Sequence, residues 1–438
     1  MKKILILFMF VATLFMACEP DIEDFTPSGG DADFTRYVAI GNSLTSGYAD
    51  GDLYKTVQLN SYPAIIAEMF ATVDGGDFIQ PLMKDDIGFG KRLILGSSTS
   101  CTGETSVAPI PFNTTPSPAN FVSIADDGPF NNMGVPGAKT FHLITPGYGV
   151  LNPYFGRFAT SEGTTVMADA MAIDPTFFSC WIGSNDLLTY ALSGAESDSI
   201  TPQPIFEQAY GAILQTLTAN GAKGVLANLP EITAIPYFTT VPYNPVPLEQ
   251  AQVIQLKAAY AEYNAGATAY GLDSITFAEG LNAMVIEDEA FAALGGIRQI
   301  KEGELVLLSI PQDSIKCAGW GTIKPVPAQY ILDLAEIQEI SDATIAFNQT
   351  IAAYAEQFGL ALADMNGLLE DIKTGIKYDG VNYTATYVTG GTFSLDGVHL
   401  TPQGYAYAAN TFVEAINAKY NAAIPLVSVT EYPGVLFP

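Results

Sequence analysis

The chain has 438 residues, 48% of them hydrophobic, and its 46 acidic and 18 basic side chains give a net charge of −28 at pH 7. This length suits one enlarged α/β domain, and no repeat of fixed period indicates a solenoid or a propeller. Such acidity argues against nucleic acid as a partner and against docking on anionic lipid.

The N-terminus has the pattern of an export signal. Two lysines follow the first methionine, an apolar run ends at Ala17, and Cys18 comes next. The run is too short to span a bilayer, so we expect a cleaved signal peptide over residues 1–17. The junction resembles a bacterial lipoprotein cleavage site, with Phe15 where leucine is usual, which implies lipidation of Cys18. An ordinary secretory signal with an incidental cysteine is the alternative.

Residues 18–34 are acidic and contain prolines and glycines, the composition of a flexible tether. Lipid chains on the first mature residue would hold the domain on a membrane without a spanning helix. We therefore expect an exported, membrane-anchored lipoprotein at the outer membrane or cell surface. Its folded domain is expected over residues 35–424, followed by a tail over residues 425–438.

The first apolar run after the tether, Tyr37–Ile40, predicts a buried strand that leads into a Gly-flanked turn over Gly41–Tyr48. Ser43 lies in this turn, at the carboxyl edge of the predicted sheet, where open α/β folds place their sites. Ser43 is therefore a candidate nucleophile, and a helix N-cap serine is the alternative. The lipase-type G-x-S-x-G pattern is absent.

Two insertions interrupt an otherwise regular alternation of strands and helices. Residues 72–131, rich in Gly, Ser, Thr and Pro, predict a long irregular segment that could form one wall of a cleft. The second insertion, about 270–330, includes Leu305–Ile310, which predicts a strand in a small cap. Further on, Tyr383–Phe393 alternates around two glycines and predicts a hairpin. The remaining elements predict a mostly parallel sheet covered by helices on both faces.

Two turn segments supply candidate hydrogen-bond donors. Asn132–Ala138 contains Gly134 and Gly137, and Gly183–Asp186 contains Asn185. A glycine backbone N–H group and an asparagine amide are donors of the kind that an oxyanion hole needs. Each segment alone is also ordinary turn chemistry, so neither identifies a site by itself.

The chain has only two histidines, His142 and His399. His399 comes three residues after Asp396, whose carboxylate could fix the tautomer of the imidazole and stabilise its charged form. Taken alone, His399 could equally be a turn residue. We expect His142 to be a packing or surface residue.

In this order the segments resemble the blocks of the SGNH (GDSL-type) hydrolase family, which is named for its Ser, Gly, Asn and His. The first block has Asn42 where the family usually has aspartate. In the second block Gly137 is the expected oxyanion glycine, and Gly134 is the alternative. The four matching blocks are Gly41–Leu44, Asn132–Gly137, Gly183–Asp186 and Asp396–His399.

The resemblance implies a three-layer α/β/α, flavodoxin-like fold with large insertions, and it implies ester hydrolysis. Ser43 would attack a carbonyl carbon, His399 would accept the serine proton, and Asp396 would orient His399. The backbone N–H groups of Ser43 and Gly137, with the Asn185 side chain, would hold the oxyanion. This chemistry needs no cofactor and no metal.

The remaining cysteines give no C-x-x-C pair, and therefore no zinc or redox signature. Export permits a disulfide, and a Cys101–Cys317 pair is possible because Cys180 lies in a predicted buried strand.

Several substrates remain open. A lipolytic or short-chain carboxylesterase is favoured, because the two insertions are relatively apolar and could roof a pocket that takes small-molecule or lipid esters. A carbohydrate O-deacetylase acting on glycan esters is the nearest alternative, and a thioesterase or lysophospholipase is also open. A hypothesis from another class is a non-catalytic surface lipoprotein that binds glycan or protein, although every catalytic side chain is present.

Overall fold

The computed structural model describes residues 25–112 and 115–438. The expected signal peptide and Cys18 lie outside these residues, so lipidation and membrane anchoring stay predictions. Within the two described ranges, no helix combines the length and the apolar composition that crossing a membrane requires.

The strands fall into one central sheet and several small antiparallel pairs. In chain order they are β1 (Tyr37–Gly41), β2 (Leu93–Thr99), β3 (Thr105–Pro111), β4 (Asn132–Gly134), β5 (Phe177–Trp181), β6 (Lys223–Ala227), β7 (Val246–Leu248), β8 (Gly280–Asn282), β9 (Val285–Glu287), β10 (Ile297–Gln299), β11 (Leu305–Val306), β12 (Ile331–Leu332), β13 (Ala361–Ala363), β14 (Ile376–Tyr378) and β15 (Val381–Tyr383).

The helices range from single turns to the 25 residues of the longest one. In chain order the α-helices are α1 (Ser43–Ser46), α2 (Lys55–Gln58), α3 (Tyr62–Ala71), α4 (Tyr148–Leu151), α5 (Pro153–Gly156), α6 (Val166–Met171), α7 (Asn185–Leu192), α8 (Gln203–Thr218), α9 (Pro236–Thr239), α10 (Gln250–Ala259), α11 (Ala261–Tyr270), α12 (Gln312–Cys317), α13 (Leu334–Phe358), α14 (Met365–Thr374) and α15 (Pro402–Tyr420).

The central sheet has five parallel strands in the spatial order β13-β6-β5-β1-β4. Numbered among themselves along the chain, these strands run 5-4-3-1-2, which is the flavodoxin-like order read from the other edge. Every residue of β1 and β5 is buried, as strands covered on both faces require. Helices α3 and α15 pack together on one face, and α8 and α13 pack together on the other. The predicted three-layer fold is confirmed.

The direction in which strands are added to the sheet reverses between β1 and β5. After β1 the chain forms the edge strand β4 on one side of β1, and it then adds β5, β6 and β13 on the other side. Loops that follow these strands leave the sheet in opposite directions, which opens a crevice at its carboxyl edge. Ser43 follows β1, the segment with Gly137 follows β4, and Asn185 follows β5. The topology alone therefore brings three of the four predicted blocks to one crevice.

The first insertion is more regular than predicted. Residues 93–111 form the antiparallel hairpin β2–β3, whose register pairs Leu93 with Pro111 and Thr99 with Thr105. The expectation of an irregular segment over all of 72–131 is wrong here, because the two strands pair with each other along their whole length.

A second hydrophobic core is built from residues between Val241 and Ile331, and we call this unit the cap. Within the cap, the expected strand Leu305–Ile310 shortens to Leu305–Val306, which pairs with β12. The chain then turns, since Ile310 N donates to Leu307 O. A cap is therefore present, as predicted, but most of the run Leu305–Ile310 forms a turn instead of a strand.

The hairpin predicted over Tyr383–Phe393 is also wrong. The hairpin lies one step earlier, where β14 and β15 flank Asp379 and Gly380 with φ values of 49° and 82°. Two left-handed residues define the type I′ turn that an Asp-Gly pair favours. The glycines inside the predicted segment instead lie in a loop that leads to Asp396.

The described ends of the chain pack on the domain. In the expected tether, Ser28 pairs with Ala423, and the Phe34 side chain is 2% exposed in the main core. In the expected tail, Val429 is completely buried. The domain therefore extends beyond residues 35–424 at both ends, because apolar side chains there complete the core around α15.

Candidate active site

Ser43 opens the one-turn helix α1 at the end of β1. Asn42 is the N-cap of this helix, because its Oδ1 accepts a hydrogen bond from Leu44 N at 3.1 Å. The alternative interpretation of Ser43 as an N-cap is therefore wrong. Gly41 is required before the turn, since a Cβ there would lie 2.4 Å from Trp181 O. The strand end thus presents the Ser43 hydroxyl at the crevice.

Ser43, His399 and Asp396 form a continuous chain of hydrogen-bonding distances. Ser43 Oγ lies 2.8 Å from His399 Nε2, and His399 Nδ1 lies 2.9 Å from Asp396 Oδ2. The side chains of His399 and Asp396 are each 14% exposed, so water reaches them only at one side. In this geometry the imidazole can take a proton from the serine while the carboxylate stabilises its charged form.

The Asp396 carboxylate is fully engaged. Its Oδ1 accepts hydrogen bonds from Val398 N, His399 N and Ser394 Oγ at 2.9, 2.8 and 3.1 Å, and its Oδ2 accepts one from Gly51 N at 2.9 Å. Burial alone would raise the pKa of Asp396, but His399 and these donors hold it well below its ordinary value. The residue is therefore a fixed anion beside the imidazole.

The turn over residues 49–52 holds the loop that carries Asp396. Leu395 N donates to Asp50 Oδ1 at 3.0 Å, and Asp50 N donates to Ser394 Oγ at 3.0 Å. On the opposite side, Tyr237 N donates to Gly397 O at 2.9 Å. Sequence reasoning missed Asp50, although the Asp50–Gly51 pair is a turn signal in the sequence. In the structure Asp50 has a φ of 54°, in the left-handed region.

Asn185 lies at the first residue of α7, and its side chain is held in place. Asn185 Nδ2 donates to Ala138 O at 3.0 Å, which leaves the second amide hydrogen available to a ligand. The neighbouring Asp186 is buried and accepts hydrogen bonds from Thr140 N and Thr140 Oγ1, both at 2.8 Å. Burial raises the pKa of Asp186. Asp186 thus ties the segment after β4 to the start of α7.

The two candidate oxyanion glycines have different environments. Gly134 lies in β4, its N–H donates to Asn132 Oδ1 at 3.0 Å, and a Cβ there would lie 2.3 Å from Ser46 N. Gly137 has φ 79°, open space around the Cβ position, and an N–H group with no acceptor among the described residues. Gly134 is therefore committed to strand packing, while Gly137 keeps a free donor.

His142 takes no part in this arrangement. Its ring stacks on Tyr148 with centroids 4.4 Å apart, and its Nδ1 accepts a hydrogen bond from Lys139 N. Burial lowers the pKa of His142, which favours the neutral ring. This is the packing role that was expected.

An apolar cleft opens beside Ser43 and His399. Trp181, one of the aromatic residues near the predicted site, lines it. The carbon-rich lining otherwise comes from α1, α7, the loop after β6, α14 and the segment around His399, namely Leu44, Leu188, Pro230, Ile232, Ile235, Met365, Leu368, Leu369, Ile372, Phe393, Val398 and Leu400.

The expected roof from the two insertions is wrong, because neither insertion contributes a residue to the described lining of this cleft. The first insertion lies on another side of the catalytic residues. There the Tyr48 ring lies 4.6 Å from the His399 ring, and Tyr154 connects Tyr48 to Phe89. The catalytic residues thus separate a carbon-lined cleft from an aromatic surface.

Cys101 and Cys317 form a disulfide, the pairing that the sequence left possible, and Cys180 is free and buried in β5. The disulfide joins the β2–β3 hairpin to α12 of the cap. The two insertions are therefore covalently connected.

Comparison with known proteins adds a family assignment. The model of the family of GDSL-like lipases and acylhydrolases matches residues 37–412. No curated protein matches the chain.

Three similar solved structures are all 12% identical to the chain. A lipolytic protein of the G-D-S-L family from Desulfitobacterium hafniense DCB-2 covers 87% of this chain and 99% of its own, with a TM-score of 0.33. An acetyl xylan esterase covers 86% and 98%, with a TM-score of 0.32. An extracellular lipase from Streptomyces rimosus covers 87% and 98%, with a TM-score of 0.31. At such low identities and scores, none of the three defines a substrate.

Proposed function

The chain belongs to the GDSL-like lipase and acylhydrolase family, whose members hydrolyse esters, and we propose that it acts through Ser43, His399 and Asp396 as a serine carboxylesterase. The observation that carries this proposal is the pair of contacts at His399. Its two ring nitrogens lie 2.8 Å from the Ser43 hydroxyl and 2.9 Å from the Asp396 carboxylate. A base between a nucleophile and an orienting anion is the arrangement that serine acyl transfer requires.

The first half of the reaction forms an acyl-serine. Ser43 Oγ attacks the ester carbonyl carbon while its proton passes to His399 Nε2, and Asp396 stabilises the resulting imidazolium. The tetrahedral oxyanion accepts hydrogen bonds from the N–H groups of Ser43 and Gly137 and from Asn185 Nδ2. His399 then returns the proton to the ester oxygen, and the alcohol leaves.

The second half releases the acid. His399 Nε2 takes a proton from water, and the water oxygen attacks the carbonyl carbon of the acyl-serine. The same donors hold the second oxyanion, and the proton returns to Ser43 Oγ as the bond to the serine breaks. The free carboxylic acid leaves, and the enzyme regains its starting state without a cofactor.

The apolar cleft favours a lipolytic or short-chain carboxylesterase. Most of the residues that line it are aliphatic, and the polar ones are concentrated around Ser43, Asn185 and His399. A pocket of this composition binds hydrocarbon and penalises unpaired polar groups.

A carbohydrate O-deacetylase is the second candidate. The aromatic surface formed by Tyr48, Tyr154 and Phe89 lies beside His399, where the leaving alcohol receives its proton. Aromatic faces of this kind can pack against the carbon face of a sugar. A preference for acetyl over longer acyl groups would favour this candidate.

The test is hydrolysis of p-nitrophenyl esters by the purified protein and by a Ser43→Ala variant. We expect turnover that falls by at least about 10³-fold in the variant, because the covalent route is lost. A Thr45→Ala variant, changed at a buried hydroxyl two residues away, serves as the matched control. Equal turnover in the protein and in Ser43→Ala would contradict the proposal, and glycan binding without turnover in either form would favour the non-catalytic hypothesis.

A further inference from the structure

The apolar cleft has a direction across the carboxyl edge of the sheet. It begins at Ser43 after β1, passes Asn185 after β5 and Ile232 after β6, and ends against α14, which follows β13. Neighbouring strands are about 4.8 Å apart, so three spacings place the far wall about 14 Å from the nucleophile. The cleft therefore extends along the carboxyl edge of the sheet from Ser43 to α14.

One face of α14 forms this far wall. Four of its residues line the cleft, at spacings of three, four and seven residues from the first: Met365, Leu368, Leu369 and Ile372. These spacings place side chains on one side of a helix. Met365, Leu369 and Ile372 are 2, 4 and 3% exposed, so this wall is part of the main hydrophobic core. We call these four residues, with Ile232 and Ile235, the carbon wall.

The two sides of the nucleophile differ in what they can accept. The carbon wall lies on the β13 side of Ser43. The aromatic surface of Tyr48 and Tyr154 lies on another side, next to His399. Because His399 borders both the cleft and the aromatic surface, its Nε2 can deliver the proton to a leaving oxygen whose alcohol part lies on the aromatic surface. The acyl part is left with the cleft.

We infer that the carbon wall is an acyl-chain binding site, that it selects unbranched medium-length acyl groups, and that Leu369 on α14 limits their length. The inference rests on the proposed serine esterase and names its substrate class. A charged or hydroxylated acyl group would lose its hydration against this wall without gaining a hydrogen-bond partner. Acyl groups that are purely hydrocarbon are therefore the ones that fit.

The expected signature is a graded chain-length profile. Each methylene buried against the carbon wall is worth about a fourfold gain in kcat/KM until the chain reaches α14. Beyond that length the gain stops. Leu369→Trp fills the far end of the cleft and should move the optimum to shorter esters. Leu369→Ala enlarges it and should move the optimum to longer ones.

The experiment measures kcat/KM for p-nitrophenyl esters from acetyl to dodecanoyl in the full-length protein and in both Leu369 variants. Leu217→Ala is the matched control, since Leu217 is fully buried in α8 but does not line the cleft. We expect the whole chain-length profile of Leu217→Ala to match that of the parent, and circular dichroism and the melting temperature show whether each variant is folded. Opposite shifts of the optimum in the two Leu369 variants support the inference. A profile that falls from acetyl onward, or one that no Leu369 change alters, overturns it.

A binding measurement separates failure of this inference from failure of the proposed chemistry. Calorimetric titration with methyl octanoate uses Ser43→Ala and the double variant Ser43→Ala/Leu369→Trp. We expect at least tenfold weaker binding to the double variant, whether or not the parent hydrolyses any ester. Equal binding to both would remove the acyl site, even if Ser43-dependent turnover of acetyl esters had established the serine esterase.

Discussion

The site has two walls whose side chains differ in chemical character. The polar wall consists of Ser43, Asn185, Asp396 and His399, whose positions are fixed by hydrogen bonds from several loops. The carbon wall, by contrast, has no directional contact to offer and binds by removing hydrocarbon from water. Loss of one hydrogen-bonding atom in the polar wall disrupts the arrangement of the catalytic groups. Loss of one methylene in the carbon wall only reduces the apolar area that the substrate buries. The first should change activity in large steps and the second in graded ones.

The two walls also differ in what supports them. The loop that carries Asp396 is held by the turn at Asp50 and by Tyr237 near the cap. The carbon wall on α14 belongs to the main hydrophobic core, together with Ile232 and Ile235. Substitutions in the insertions should therefore disturb the positions of the polar-wall residues more than those of the carbon-wall residues.

The largest expected effect is that of Asp396→Asn. His399 Nδ1 would lose its carboxylate partner. The amide could then favour the imidazole tautomer that cannot accept the Ser43 proton at Nε2, and no anion would stabilise the imidazolium. We expect kcat to fall by about 10³–10⁴-fold with little change in KM. A steady-state titration with a short ester measures both constants, and a decrease of less than tenfold would contradict the role of Asp396.

The same variant tests the sign of a pH effect on stability. Because the pKa of Asp396 is lowered in the folded state, its charge stabilises the fold above its ordinary value of about 3.9. That stabilisation is lost as the pH falls below this value. Thermal unfolding at pH 7 and pH 3 should therefore show a larger difference between the protein and Asp396→Asn at pH 7.

The next largest effect is expected for Asn185→Ala. Removal of one oxyanion donor costs about 3–4 kcal/mol of transition-state stabilisation, or about 10²–10³-fold in kcat. Asn410→Ala is the matched control, because Asn410 is a buried asparagine that bonds Val427 far from the site. That control should lose stability and keep kcat. A normal kcat in Asn185→Ala would exclude the amide as an oxyanion donor.

The smallest effect on activity is expected for Cys101→Ala/Cys317→Ala. The disulfide closes a span of 216 residues, for which chain entropy gives at most about 5 kcal/mol of stability. We expect a lower melting temperature and an unchanged preference for acyl chain length, since neither insertion lines the carbon wall. A changed chain-length optimum in this variant would show that the insertions shape the cleft after all.

The fold could be predicted from the sequence because its signals are local, and the structure places the proposed residues Ser43, His399 and Asp396 within hydrogen-bonding distance of one another. Buried strands such as Tyr37–Ile40 are continuous apolar runs, and each is followed by a short polar turn. Parallel order then brings the turns to one edge. The positions of Ser43 and Asn185 follow from that topology, whereas the loop that carries Asp396 and His399 is held by its contacts with Asp50 and Tyr237.

The carbon wall could not be predicted in the same way. Residues 365–372 have the spacing of any amphipathic helix, so nothing local distinguishes a wall of a cleft from core packing. The packing of α14 against the rest of the domain decides which of its faces borders the cleft. This helix follows β13, which lies three strands from β1 and Ser43 in the sheet. The role of the Asp50 turn could not be predicted for a similar reason. Its hydrogen-bond partner Leu395 lies 345 residues away along the chain.

Other errors came from local signals that were present but given too little weight. The Asp379–Gly380 pair is a strong type I′ turn signal, yet the hairpin was placed after it. The apolar run Leu305–Ile310 has strand composition, but only its first two residues find a partner strand. Partner strands are a tertiary property, and a short apolar run does not reveal them.

The measurement that tests the central claim most directly is covalent labelling with a fluorophosphonate, followed by mass spectrometry of the digested protein. We expect one phosphonyl adduct, on the peptide that contains Ser43, and much slower labelling in His399→Gln because the serine then lacks its base. An adduct on another residue, or equal labelling of Ser43→Ala, would contradict the assignment of Ser43 as the nucleophile.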